Sequence, residues 1–187
     1  MSGHGHGHVD PSNKKVALLI SVLAVVLAFA ETLGKGAQTN GLAANIEASN
    51  LWAFYQAKTI RMTTLRTTAE AAEVELPQSG AKKDALAKKI ADWKSAAARY
   101  DSEPETGEGR KELMARAKAA EVKRDHAMAA YHQHELASAL VQIAIVLASA
   151  HIITGVGALI WISAALGLGG VVFCLIGFFA PTAIHLF

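Results

Sequence analysis

Apolar residues gather at the two ends of the chain and charge gathers between them. From Val16 to Leu33 the run VALLISVLAVVLAFAETL carries one charged residue, Glu31, and the 45 residues from Leu136 to Ala180 contain no Asp, Glu, Lys or Arg. A soluble surface needs hydration, whereas a bilayer excludes each ionised side chain at about 2.5–3.5 kcal/mol, so these runs read as membrane spans. At 1.5 Å per residue, residues 16–33 make a helix of about 27 Å, close to the ~30 Å hydrocarbon thickness. Residues 136–180 would reach about 67 Å as one helix, so they must double back, and Thr154, Gly155, Val156 and Gly157 supply the turn. Backbone groups in lipid are satisfied internally, which predicts transmembrane helices over 16–33, 136–153 and 158–180, ended by Pro181 and followed by a tail over 181–187.

The segment 34–135 is predicted to be an extramembrane helical domain. Leu42 to Leu76 has neither Pro nor Gly and is rich in helix formers, and Pro77, Gln78, Ser79 and Gly80 break it. A second helix is expected from Ala81 to about Tyr100, with Ile90, Trp93 and Ala97 at helical spacing. A polar loop follows over 101–109. The stretch from Arg110 to Glu135 meets no breaker before the span, so one continuous helix should pass from water into lipid. The first span is expected to run on past Gly34 and Gly36 in the same way, against about 1 kcal/mol per glycine. The expected fold is all-α: three transmembrane helices, with an extended alanine-rich helical hairpin or coiled-coil-like domain between the first and second. Alanines bury little area, so a homo-oligomer or a larger membrane complex is expected to supply the missing burial. Ser163 with Gly167, and Ala165 with Gly169, are small residues four apart, suited to close helix approach between copies or within one chain.

Three crossings put the tail over 1–15 on one side and the domain on the other. Lys14 and Lys15 ahead of the first span favour a cytoplasmic N-terminus, with the helical domain on the opposite side; Lys35, Lys123 and Arg124 argue the other way from a loop too long for the rule to govern.

Charge and chemistry narrow the function further. Eighteen Lys and Arg against 16 Asp and Glu leave no footprint of nucleic-acid binding. Cys174 is the only cysteine, so no intrachain disulfide forms. His4, His6 and His8, alternating with glycine in the tail, are weak candidates for a divalent metal, and no other metal site or cofactor is expected. His132 and His134 lie roughly 200° apart on a helix, so one helix cannot chelate with both, and they are expected to hydrate the helix end with His126. Glu31, Gln142 and His151 are polar positions within the spans, where an ionisable group raises a functional question by default. No phosphate-cradling loop, nucleophile motif or paired cysteine occurs, and no enzymatic activity is expected.

The segment Ala48-Ser-Asn-Leu-Trp52-Ala-Phe-Tyr55-Gln56-Ala-Lys58 resembles the most recognisable stretch of a bacterial family called domain of unknown function 4337, and the resemblance covers roughly Asn13 to Ala180. It implies a membrane-anchored bacterial protein and nothing about activity or catalytic residues; the expected location is the bacterial inner (cell) membrane. Trp52, Tyr55, Gln56 and Thr59 share one helical face, which suits either a partner or packing of the helical hairpin, with Lys58 and Arg61 as solvated neighbours. The expected function is a non-enzymatic scaffold or accessory subunit that self-associates or docks to a complex. The alternative is an oligomeric channel or transporter, which needs Ser138, Gln142, Ser149 or Thr154 along a wet path.

Overall fold

The structure, a computed structural model, describes residues 11–184 other than 78. Four helices account for most of it: α1 (Pro11–Val74), α2 (Ala81–Asp101), α3 (Arg110–Thr154) and α4 (Gly157–Phe179), with no strand among the described residues. α1 runs unbroken through Gly34, Gly36 and Gly41, and α3 runs unbroken through the expected water-lipid boundary. Three of the helices are long and apolar enough to cross a membrane, with mean hydropathies of 2.5, 2.1 and 2.4 over their most apolar windows. Only 17%, 22% and 17% of those windows is buried inside the fold, so most of their apolar surface faces outwards. An exposed apolar surface this large does not suit a soluble monomer and does suit lipid.

The chain divides into two compact units, the described residues of Met1–Gly41 with Asp125–Phe187, and Leu42–Arg124. In the first unit, α1 packs against α3 and α4 through Leu23, Val141 and Ala144, with Leu19, Val26, Leu27 and Leu166 around them. α4 turns its smallest residues inwards: Ser163, Gly167, Gly170 and Gly177, at intervals of four, three and seven, are its buried positions. The α3–α4 turn closes on Gly155, which takes φ 70° and donates its N–H to the His151 carbonyl at 2.9 Å. This is the left-handed helix ending that glycine favours. The His151 ring donates from Nδ1 to the Val156 carbonyl at 2.9 Å, which fixes the far side of the turn.

The second unit is built on alanine and leucine. Ala48 and Leu51 of α1 meet Leu113, Ala117 and Ala120 of α3, with Trp52 and Tyr55 packed against them. The α2–α3 connection is held by charge. Arg110 and Lys111 both reach Asp101, at 2.8 and 3.0 Å, while Glu112 accepts from the Ser102 hydroxyl at 2.6 Å and the Glu103 N–H at 3.1 Å. Hydrogen bonds from Lys111, Arg99 and Ser102 hold the carboxyls of Asp101, Glu103 and Glu112, respectively, below their ordinary values. A lowered folded-state pKa stabilises the fold fully above the unfolded value, about 4, and that contribution is lost as the pH falls through the folded value. Amide exchange in 102–109, corrected for intrinsic rates, is therefore expected to lose protection between pH 5 and pH 2 while that of 48–55 persists. Equal protection in the loop at both pH values would show that these carboxylates do not hold the turn.

Candidate functional site

The most unusual polar chemistry lies in the first unit, where α3 presents two buried polar residues in succession. Gln133 is 2% exposed and His134 3%. Room for them comes from glycines: a methyl on Gly34 of α1 would lie 3.2 Å from the His134 Cβ, and one on Gly177 of α4 would lie 3.0 Å from both the Gln133 Cβ and the His134 Cε1. Gln133 donates from Nε2 to the Ile184 carbonyl at 3.1 Å, whereas its Oε1 and the His134 Nδ1 have no hydrogen-bond partner. A buried polar atom left unpaired costs about 1–3 kcal/mol, which sets this junction apart from the apolar packing around it.

His134 forms part of the wall of a groove of about 270 Å³ between α1 and α3. α1 contributes Glu31, Lys35 and Gln38, three and four residues apart on one face, and α3 contributes Tyr131, Glu135 and Ser138 with the same spacing. At the groove's inner end Gln142 donates from Nε2 to Glu31 and to the Ser138 hydroxyl oxygen, each at 3.3 Å. Glu135 accepts from the Tyr131 hydroxyl at 3.3 Å. On its other side His134 borders a second groove of about 350 Å³, with Thr32, Asn40 and His126 in its lining.

The expectation that His134 hydrates a helix end is corrected here: it is buried, because Gly34 and Gly177 face it and its position continues the inward row Ala137, Val141, Ala144. That row was legible in the sequence as three- and four-residue spacing. The Glu31–Gln142 bond was not, since 111 residues separate its partners.

The model of one protein family matches residues 12–180, most of the length of the chain. The chain belongs to the family described as domain of unknown function (DUF4337). No curated protein and no solved structure matches it.

The Trp52 and Tyr55-Gln-Ala-Lys58 stretch lies in the second unit of this DUF4337 chain. The Trp52 and Tyr55 rings meet edge to face at 5.3 Å, and Trp52 donates from Nε1 to Glu121 of α3 at 2.8 Å. Gln56 is exposed and Thr59 is half-buried, its hydroxyl donating to the Tyr55 carbonyl at 2.8 Å. Lys58 is not a solvated neighbour: its side chain is 13% exposed, over the Tyr100 ring at 5.3 Å and 3.7 Å from Glu108. Arg61 is exposed. Replacing Trp52 by phenylalanine keeps a ring and removes the donor to a carboxylate, a bond of the class contributing about 1.5–3 kcal/mol. Trp52→Phe should therefore lower stability in a denaturant titration by about 1–2 kcal/mol; no change would mean that Glu121 contributes nothing to the seam.

Ser163 and Gly167 are both used within the chain. The Ser163 hydroxyl donates to the Ala144 carbonyl at 2.7 Å, and a methyl on Gly167 would come within 2.5 Å of Leu23 Cδ2. Gly169 is half-buried beside Leu140, and Ala165 is exposed. His4, His6 and His8 lie outside the described residues. Among the described residues no three His, Cys, Asp or Glu gather as metal ligands.

Proposed function

We propose that this chain is a non-enzymatic membrane scaffold that spans the bilayer three times and self-associates through α1. The observation that carries the reading is how the first unit's α1 divides its surface. Val16, Leu23, Ala30 and Gly34 face α3 and α4, and two further faces point outwards. One holds large residues, Leu18, Val22, Val25 and Phe29; the other holds only small ones, Ala17, Ser21, Ala24 and Ala28, and both step by four, three and four. Lipid accepts large aliphatic side chains, whereas small residues in this register let a second helix backbone come close. Ser21 shows no spare donor to lipid, since its hydroxyl donates to the Ala17 carbonyl at 2.9 Å.

The occupant proposed for the small face is a second copy in the same bilayer. Insertion in one membrane holds the copies parallel, so like positions meet like: Ala24 opposes Ala24 and Ala28 opposes Ala28. In the second unit, α1 carries another uncharged outward stripe, Leu42, Ile46, Ala53, Ala57, Ile60 and Thr64, with Leu42, Ile46 and Ile60 60%, 53% and 66% exposed. It is about 33 Å long, and at about 10 Å width it buries about 330 Å² per copy, well short of the ~800 Å² of a specific soluble interface. That face therefore adds to an association in the membrane and does not sustain one alone.

The test is oxidative cross-linking of the full chain in its own membranes, in a Cys174→Ala background. Ala24→Cys and Ala28→Cys should give covalent dimers within minutes, and Val22→Cys and Val25→Cys on the large face should not. Equal yields from both faces, or none from either, would discard the α1 interface.

A further inference from the structure

We propose that the groove between α1 and α3 in the first unit binds the headgroup of a zwitterionic aminophospholipid, with its phosphate on Lys35 and its primary ammonium on Glu135. The site goes beyond self-association and rests on the bilayer placement, which sedimentation of the chain with membranes after alkaline extraction reports separately.

Gly34 of α1 faces His134 of α3, and Gly41 faces Met128, so the two helices run antiparallel at fixed levels. Lys35 and Glu135 each stand one residue from that Gly34–His134 level, and are thus within about 3 Å of each other along the axis. Lys35 forms no ion pair among the described residues. Glu135 accepts one hydrogen bond, from Tyr131, and lies 3.7 Å from the His132 ring, which leaves it room for an ammonium donor. The groove wall behind them includes His134, which is 3% exposed.

The charges choose among ligand classes. Glu31 and Glu135 outnumber Lys35, so a bare phosphate or sulfate meets net repulsion, while a bare cation meets the Lys35 ammonium and no cluster of three ligands. A zwitterion matches both signs. The volume, about 270 Å³, equals about nine water-sized portions of ~30 Å³, room for the eight non-hydrogen atoms of phosphoethanolamine. The groove's inner end reaches Ala30 and Ser138, where the apolar helix surfaces begin, and this favours an amphiphile over a free solute. A quaternary ammonium has no N–H for Glu135, so choline lipids should be the poorer fit.

The experiment is native mass spectrometry of the full chain in nonionic detergent with added dihexanoyl-phosphatidylethanolamine, dihexanoyl-phosphatidylcholine or free phosphoethanolamine. The ethanolamine lipid should bind about tenfold more tightly than the choline lipid. Lys35→Gln should lose about tenfold, Lys35→Arg should retain binding, and Glu135→Gln should abolish the preference between the lipids. Both side chains are exposed, and circular dichroism confirms that each variant folds; should Lys35→Gln not fold, the Glu135→Gln preference decides. Equal binding of the two lipids, unchanged binding by Lys35→Gln, or free phosphoethanolamine binding as tightly as the lipid would each overturn the assignment. Oligomer mass in the same spectra reports the α1 interface.

Discussion

Gly170→Leu is expected to separate α3 from α4 and to cost the first unit about 3 kcal/mol or more of stability. A methyl on Gly170 would already lie 2.5 Å from Val141 Cγ2 and 3.1 Å from the Ala137 carbonyl oxygen. Val141 is fully buried and its short branched side chain has little freedom to move aside, and the carbonyl belongs to the α3 backbone. Gly167 differs, because the atom in its way is the end of the flexible Leu23 side chain. Overpacking a tight core typically costs about 1–3 kcal/mol, and more when backbone must move. The neighbour provides the control: a methyl on Gly169 meets Leu140 at an ordinary 3.6 Å. Gly169→Ala should be neutral or stabilising by up to ~1 kcal/mol through helix propensity. Thermal unfolding of both variants in detergent checks the pair. Equal midpoints for Gly170→Leu and Gly169→Ala would mean that α4 does not pack on α3 through Gly170.

The same comparison shows why some of the structure was legible in the sequence and some was not. Helix positions follow from local rules: the apolar runs place the spans, Pro77 and Gly80 stop α1, and Gly155 makes the turn. Continuity through Gly34 was expected against the cost of glycine in a helix, but not its reason: the approach of His134 gives that glycine a packing role that propensity does not express. Lys58 has the composition of a solvated neighbour and is half-buried because Tyr100 and Glu108 come to it from α2 and the loop beyond. The groove joins residues about a hundred positions apart, Lys35 and Glu135, and no local pattern pairs them. What the sequence did carry, unread, was the register: Glu31, Lys35 and Gln38 share one face, as do Tyr131, Glu135 and Ser138.

Ala24→Leu combined with Ala28→Leu is expected to weaken self-association at least tenfold while leaving the monomer folded. Both positions are exposed in the chain, so the added side chains meet no neighbour within it. In lipid the larger residues are as soluble as Val22 and Val25 on the adjacent face, so any loss arises where a second helix must approach. Membrane helices associate by close packing and hydrogen bonding without a hydrophobic drive between them, and two leucines at the closest contact hold the backbones apart. A penalty of about 1.4 kcal/mol already gives tenfold, and overpacking at two positions on each of two helices reaches that readily. Glu31 continues the same face three residues on, where it already accepts from Gln142 at 3.3 Å. Its carboxylate keeps further acceptor capacity for a donor from the second copy, so Glu31→Leu should weaken association beyond what its small change in packing explains. Energy transfer between donor- and acceptor-labelled full chains, diluted stepwise into lipid, measures both effects, with Val22→Leu combined with Val25→Leu as the control on the large face. If the small-face and large-face variants lose transfer to the same extent, the division of α1 into packing and lipid faces is wrong, and the copies meet elsewhere or not at all.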